Sequence, residues 1–529
     1  MRPARSPRNS NVIRSSPVHV LSSAVCALVL AAAPAHAQAV LPSSSADSTR
    51  VAPSASSADW EASPVLPEDH WAVRAAARAE ALGLAPGYFP AQRAVPRHVV
   101  ARALRDAAVR AEGGARAGVA AEWLARFEAE FPEYRGEPAA GLIHLGGYAA
   151  AGTRDVEQRL SPRFGLPGKS YPFSPKLLRD RRLVYGELQL SAMAGEHLAL
   201  FARPTASRDA VSVPRWEVAA GRGKLEVSAG LEPVTYGWGR GGGFVFADNR
   251  PLPRFEAQTT GPVRLPWGLP GSLSGHLFVS RLDEPRHVDN PWLWGMRVGW
   301  RPHPRLTLGV TRGAMFGGAV SPVSAGRLAR SFFGALRQDF DNQILSADLR
   351  WRVPSDAWVP LTAYAEWAAD DGAGALDEQP AALVGVSIPA VPMLPALSVG
   401  AEAAAMKGCC GHGSWYFHHE FKGEWARKGE PLGHPLGGGG QEGRLYADAD
   451  LLHGSLSVSV DAYLRNRNGD RPLIPGNLFA PARSGWSHGG RGQLTWRLLP
   501  RAELRLRGER ERGAHWYEQS FESHLSYSF

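Results

Sequence analysis

From Gly454 to Leu464 the chain alternates strictly: Leu456, Val458, Val460, Ala462 and Leu464 fall on one edge, and Ser455, Ser457, Ser459, Asp461 and Tyr463 on the other. A period of two is a β-strand with one apolar and one wet face. This one is long enough to cross a bilayer as a tilted strand of about 9 to 11 residues. The polarity sharpens further on, where Glu503, Arg505, Arg507 and Glu509 interleave with Ala502, Leu504, Leu506 and Gly508.

A solvated sheet face would accept such charges as readily as a watery lumen, and the last nine residues decide between them. Phe521, Leu525, Tyr527 and the terminal Phe529 share one face, opposite Glu522, His524, Ser526 and Ser528. An aromatic-rich alternating strand that ends the chain at Phe resembles bacterial outer-membrane barrels. At the other end, Arg2, Arg5, Arg8 and Arg14 precede an apolar run from Val18 to Ala33 and the small-x-small site Ala35-His36-Ala37. That is a secretory signal peptide, to be set aside from the fold. Its apolar run falls short of the roughly 20 residues a transmembrane helix needs. No later run approaches that length, so membrane insertion requires a barrel. Mean hydropathy of −0.22 fits, because a wet-lumen barrel turns every second residue to water. The 17 Trp and 12 Tyr suit interfacial girdles. Net charge falls from +9 to +5 once the four signal-peptide arginines are removed, and no basic cluster remains, which excludes nucleic acid as a partner.

Residues 1–37 are thus signal peptide, and the Ser-, Ala- and Pro-rich residues 38–66 a flexible leader. Residues 67–135 read as a small helical periplasmic domain with three apolar stripes: Trp71, Ala75, Ala79 and Leu82; Val99, Val100, Ala103, Leu104 and Ala107; Trp123, Leu124, Phe127 and Phe131. The stretch from His70-Trp71 through Leu82-Gly83-Leu84 to Pro96-Arg97 is similar to a surface-layer-homology repeat, which implies contact with cell-wall polymer. The simpler reading is a plug on the periplasmic mouth.

Residues 141–529 form the barrel. Strands are predicted to begin near residues 142, 183, 196, 213, 223, 254, 272, 292, 305, 343, 358, 381, 396, 442, 454, 488, 501 and 519. Every second connection is then short, as periplasmic turns are, provided residues 406–441 make one long external excursion. The fold class is an all-β transmembrane barrel of about 18 antiparallel strands with both chain ends in the periplasm.

Two loops carry the chemistry: Tyr236-Gly237-Trp238-Gly239-Arg240-Gly241-Gly242-Gly243 leading to Asp248-Asn249-Arg250-Pro251, and Asp283, Glu284, Arg286, His287, Asp289 and Asn290. Amides, paired charges and flat aromatic faces suit a carbohydrate, whose hydroxyls bond Arg, Asn and Asp while its apolar face lies on Trp or Tyr. The alternative is that these groups hold loops to each other and to the lumen wall. Gly237, Gly239 and Gly242 match a dinucleotide fingerprint in letter, but they follow a barrel strand and open no helix. The excursion holds Cys409, Cys410, His412, His418, His419, Glu420 and His434 without a trustworthy metal-ligand spacing. Gly485-Trp486-Ser487-His488-Gly489 matches G-x-S-x-G but lacks the following helix of a nucleophile elbow. No metal, cofactor or catalytic residue is expected.

The block from Tyr236 to Gly318 resembles the capsule assembly Wzi family, through Tyr236-x-Trp238-Gly239, Asp248-Asn249-Arg250-Pro251, Leu265-Pro266-Trp267, Asp283-Glu284-x-Arg286-His287-Val288, Leu293-Trp294-Gly295-Met296-Arg297 and Phe316-Gly317-Gly318. Asp341-Asn342-Gln343, Asp348-x-Arg350-Trp351 and Leu432-Gly433-His434-Pro435-Leu436-Gly437 extend the likeness. The resemblance implies an eighteen-stranded outer-membrane barrel with a periplasmic helical bundle, and a non-enzymatic, lectin-like role in holding capsular polysaccharide. The candidate polysaccharide-binding residues are Tyr236, Trp238, Arg240, Asp248, Asn249, Arg250, Asp283, Arg286, His287, Asp289, Asn290 and His434. Expected partners are capsular or extracellular polysaccharide, outer-membrane lipid, the barrel assembly machinery and, through the helical domain, peptidoglycan. A diffusion channel for oligosaccharides is the competing function.

Overall fold

The computed structural model describes residues 60–529 except 115, 136–142, 160–180, 248–249, 266–269, 283–287, 319–322, 334–340, 355–358, 371–379, 407–414, 417, 419–420, 422–424, 428–429, 468–482 and 484. The predicted signal peptide and nearly all of the leader lie outside that set. Eighteen long strands are described: β1 (Ile143–Arg159), β2 (Arg181–Ala194), β3 (Leu198–Ser207), β4 (Val211–Arg222), β5 (Leu225–Glu232), β6 (Leu252–Thr259), β7 (Ser272–Arg281), β8 (Trp292–His303) and β9 (Leu306–Phe316), followed by β10 (Asp341–Val353), β11 (Leu361–Asp370), β12 (Ala381–Ile388), β13 (Leu397–Met406), β14 (Gly440–Leu451), β15 (Leu456–Arg467), β16 (Gly485–Leu499), β17 (Ala502–Gly513) and β18 (Tyr517–Ser528). Each pairs antiparallel with the next, and β18 closes the barrel on β1 with Ser528 opposite Tyr148.

Short and long connections alternate for most of the barrel, but β3–β4 and β17–β18, on the long-loop side, span only residues 208–210 and 514–516, and β6–β7, on the short-turn side, spans 260–271. The β4–β5 turn is one of three two-residue turns among the described strands, since Arg222 pairs with Leu225 and Gly223 and Lys224 lie between; Gly223 takes φ 62°, a conformation that costs a side chain energy. Along the strands the apolar parity points outward. Leu200, Val218, Phe255, Val298, Val310, Val384 and Leu464 are exposed, as a lipid-facing wall requires. Trp292 and Trp486 mark this wall near the long-loop end, and Trp300, Trp351, Trp496, Tyr527 and Phe529 near the short-turn end. Eight residues separate Trp292 from Trp300, roughly 20 Å across the membrane for a strand tilted by about 40°, close to the expected apolar band.

The opposite parity fills the lumen with polar groups, and the helices meet them there. Helices α1 (Trp71–Ala81), α2 (Arg97–Ala111) and α3 (Ala117–Glu130) bury the three predicted stripes against one another. The His70 side chain caps α1 by accepting from the Ala72 amide at 3.2 Å, and its other ring nitrogen bonds Glu130 at 3.0 Å. Trp71 Nε1 donates to the same carboxylate at 2.7 Å, so the end of α3 is fastened to the start of α1. Burial alone would raise the Glu130 pKa, but His70, Trp71 and Arg126 outweigh it and hold the carboxyl at about 2.

This bundle is seated on the short turns. Arg78 donates to the Pro389 and Ala396 carbonyls at 2.5 and 3.1 Å and pairs with Asp450 at 3.1 Å. Arg126 reaches the Gly454 carbonyl at 3.0 Å and Ser457 at 2.6 Å, Arg102 the Thr260 carbonyl at 2.9 Å, and Arg301 and Arg350 both grip Glu80. The domain begins earlier than periodicity predicts. Trp60 is 1% exposed, the Ser63 amide donates to Glu226, and Val65–Leu66 pairs with Val95–Pro96 beneath the barrel mouth, so residues 60–66 belong to the plug rather than to a flexible leader.

Candidate functional site

The two long segments expected at the external rim fold into the lumen instead. The described parts of 233–251, between β5 and β6, and of 415–439, between β13 and β14, pack on each other and on the inner wall. Phe244, Val245, Phe246, Trp415, Tyr416, Phe421, Trp425 and Leu432 are all buried there, with Phe278, Leu293, Met315, Ile344 and Met406 from the long-loop ends of the strands. The physical reason is in the composition. Three consecutive apolar residues, Phe244 to Phe246, and the Trp415-Tyr416 and Trp425 aromatics gain more from a shared dry core than from exposure above a membrane. Main-chain groups left by the loops are satisfied within that core: Trp425 Nε1 donates to the Val245 carbonyl at 2.9 Å, the Ala247 amide to the Leu432 carbonyl at 2.7 Å, and Tyr416 Oη to the Phe244 carbonyl at 2.6 Å.

Beneath this apolar layer lies a polar one, built by the glycine-rich turn. Gly237 takes φ 98°, and a Cβ there would sit 2.9 Å from both Glu366 Oε2 and Gly243 Cα, so only glycine lets the chain double back. The turn then projects three candidate residues into the wall. Tyr236 Oη bonds His276 Nδ1 at 2.8 Å, and His276 Nε2 bonds Glu256 at 2.8 Å. Trp238 Nε1 donates to Asp348 Oδ1 at 2.5 Å, a carboxylate also clamped by both Nη atoms of Arg297. Arg240 forks onto Asp448 at 2.8 and 3.1 Å, reaches Asp461 through Nε at 2.8 Å, and lies over the Tyr446 ring. Glu402 accepts the Arg240 and Gly241 amides at 2.6 and 2.8 Å. The same turn meets the helical domain from above, with the Gly237 amide donating to the Ala91 carbonyl and the Arg93 amide to the Thr235 carbonyl. A cavity of about 180 Å³ separates α1 from the turn, lined by Trp71, Arg74, Trp238, Arg240, Tyr446 and Asp448 among others.

His434 is fully buried against Phe244, with its amide on Tyr416 Oη at 2.7 Å and its Nδ1 accepting from Leu436 at 3.2 Å. Burial, first of all, pushes its pKa down to about 4, so the ring is neutral at ordinary pH. Tyr236, Trp238, Arg240 and His434 are therefore brought together as the frame of an inward plug. Asp289 and Asn290 sit apart from them, exposed where the chain enters β8, and Arg250 is half-buried at the entry to β6. Asp248, Asn249, Asp283, Arg286 and His287 lie outside the described residues, as do Cys409, Cys410, His412, His419 and Glu420. Ser487 stands in extended strand β16, where its hydroxyl donates to Glu511 at 2.6 Å, and no helix follows it. Sequence reasoning missed the anchors Asp348, Glu402, Asp448 and Asp461. Their signal was the acidic residue on the inward parity of otherwise apolar strands.

A lipid-facing wall between two aromatic bands, with lumen-filling segments entering from both ends, defines an outer-membrane β-barrel that carries a plug at each mouth. The family model for capsule assembly protein Wzi matches residues 156–518, and the chain belongs to that family. Among solved structures, Wzi of Escherichia coli, described as an outer membrane protein involved in group 1 capsule assembly and a carbohydrate-binding β-barrel, shares the fold with a TM-score of 0.67 at 16% identity, over 88% of this chain and 99% of that one. OpdQ of Pseudomonas aeruginosa aligns over 73% of this chain and 97% of its own at 9% identity, with a TM-score of 0.45. No curated protein sequence matches.

Proposed function

We infer that this barrel binds exported capsular polysaccharide and retains it at the cell surface, without turning it over. Membership of the capsule assembly family supports the process, and the carbohydrate binding described for Escherichia coli Wzi supports the ligand. The observation that carries the reading is the double plug. A lumen occupied by an apolar loop core above and a bonded helical bundle below suits an anchor and works against the diffusion channel. Retention would come from avidity: a repeating polymer touching many barrels is held firmly although each contact is weak, because every later contact is intramolecular.

Of the twelve candidate residues, Asp289, Asn290, Arg250 and the neighbouring 248–249 and 283–287 positions are the proposed polymer contacts. Tyr236, Trp238, Arg240 and His434 act by positioning the segments that carry them. The barrel assembly machinery would receive the β18 strand, and any peptidoglycan contact would fall on the exposed side of the bundle, where Val109, Arg110 and Glu112 face outward. A glycan array probed with detergent-purified protein tests the ligand. Surface retention of polymer in cells carrying Asp289→Ala, Asn290→Ala and His287→Ala tests the site, and full retention in all three removes these positions from it.

A further inference from the structure

The described part of the β9–β10 connection departs from the two inward segments. It lies over the outer wall and carries a helix, α4 (Ala325–Phe333). The parity is unambiguous: Leu293 points into the lumen core, so Trp294 points away from it, yet Trp294 is 1% exposed because α4 covers it. Trp294 Nε1 donates to Ser331 Oγ at 3.0 Å, and its ring lies 4.6 Å from that of Phe332. Arg312, on the same outward parity, donates to the Phe332 carbonyl at 3.2 Å and to Gln343 at 3.1 Å, and Gln343 donates in turn to Asp341.

A charged side chain on the lipid-facing parity is costly at the bilayer midplane and tolerable near its edge. Arg312 with its polar partners, beside Trp292, thus fixes α4 at the outer interface. The segment from Val323 to Phe333 contains Arg327 and Arg330 and no acidic residue. Arg281 stands on the same outer sector, beside the Trp292 ring that pairs across to Phe316. Below this basic rim the exposed wall is apolar at Leu277, which pairs with Met296 four residues down from Trp292, and Leu328 is exposed on the helix itself. Cationic groups at headgroup height above an apolar strip match, in charge and in layering, a lipid whose head is anionic and whose tails are hydrocarbon.

We propose that α4, with Arg281, is a docking surface for the phosphorylated glycolipid of the outer leaflet, lipopolysaccharide, whose lipid A phosphates meet Arg281, Arg327 and Arg330 and whose acyl chains run down the wall to Leu277. This goes beyond polymer binding and stands independently of it. The outer leaflet supplies this lipid at the height where the helix lies, and the anionic phospholipid of the inner leaflet is the alternative to be tested.

The experiment uses the full-length protein in detergent, titrated with bisphosphorylated lipid A, dephosphorylated lipid A and phosphatidylglycerol and read by native mass spectrometry. Bisphosphorylated lipid A is expected to bind at least tenfold more tightly than either of the others. Arg327→Ser combined with Arg330→Ser should abolish that preference, since each arginine near such a surface contributes on the order of a fivefold change. Arg281→Gln, which leaves the helix untouched, should weaken it severalfold, and keeps the test meaningful if the helix variant misfolds. Unchanged lipid A preference in both variants, or equal binding of phosphatidylglycerol, overturns the proposal.

Discussion

Replacing Arg240 by alanine removes the strongest link between the glycine-rich turn and the wall. The guanidinium makes two bonds to Asp448 and one to Asp461. The two carboxylates are not left equally bare. Asp461 keeps Arg491 at 2.7 Å and Arg444 at 3.7 Å, whereas Asp448 keeps Arg74 at 4.0 Å and the Ser459 hydroxyl. Breaking a buried pair costs about 3 to 5 kcal/mol, much of it from the uncompensated partner. Because the Asp448 side chain is 22% exposed and Asp461 stays paired, the low end applies, about 3 kcal/mol. The cost falls on loop docking, since no ladder hydrogen bond involves the side chain. A shift of that size raises the undocked population by roughly two orders of magnitude. The β-sheet melting temperature should therefore change little, while planar-bilayer recordings show brief openings about a hundred times more often than in the parent. Arg240→Lys keeps the charge but not the fork and should fall between the two. Asp448→Asn added to Arg240→Ala should recover part of the loss by removing the stranded charge. A lumen as quiet in Arg240→Ala as in the parent would refute the assignment of Arg240 as the latch.

Further outcomes follow from other parts of the structure. Glu130, held at about 2 in the folded protein, contributes stability that is complete above its unfolded value near 4.5 and is lost as pH falls toward 2, at most about 3 kcal/mol. Proteolytic release of the helical domain should rise across that window in the parent, whereas Glu130→Gln should start less stable at neutral pH and stay flat. Gly237→Ala forces a side chain into a left-handed turn against Glu366 and should loosen the loop by about 1 to 3 kcal/mol, read as protease access within 233–251. Val298→Arg, on the lipid face six residues from Trp292 and two from Trp300, should cost about 1 to 3 kcal/mol and lower the yield of heat-modifiable barrel, whereas Gln493→Arg, facing the lumen, should not.

The barrel was legible because its signal repeats. A lipid wall outside and water inside impose period two on every strand, and each of the eighteen strand starts lies within three residues of the position read from alternation and turn spacing. The three helices were legible for a parallel reason, since Trp71, Val100, Leu104, Trp123 and Phe127 mark buried faces at helical spacing. What escaped was the direction in which segments without periodicity fold. Nothing local tells Tyr236 or His434 whether its loop rises above the membrane or drops into the lumen. That outcome depends on Phe244 and Trp425, 181 residues apart, finding the same dry core. The exterior helix was hidden likewise: Arg327, Leu328 and Arg330 read as an ordinary polar loop until Trp294 is seen to need a cover. Trp60 was the one misread local cue, a lone aromatic at the edge of a Ser-rich stretch that proved to be the first buried residue of the plug.

The bundle that fills the periplasmic mouth precedes every barrel strand in the sequence, yet it bonds to the penultimate one, through Arg126 to Glu503 and Asp69 to Arg507. The seam between β18 and β1 therefore closes a cylinder whose lumen holds a bundle drawn from the other end of the chain. A helix far from lipid is thus tied by its side chains to the wall on the far side of the closing seam.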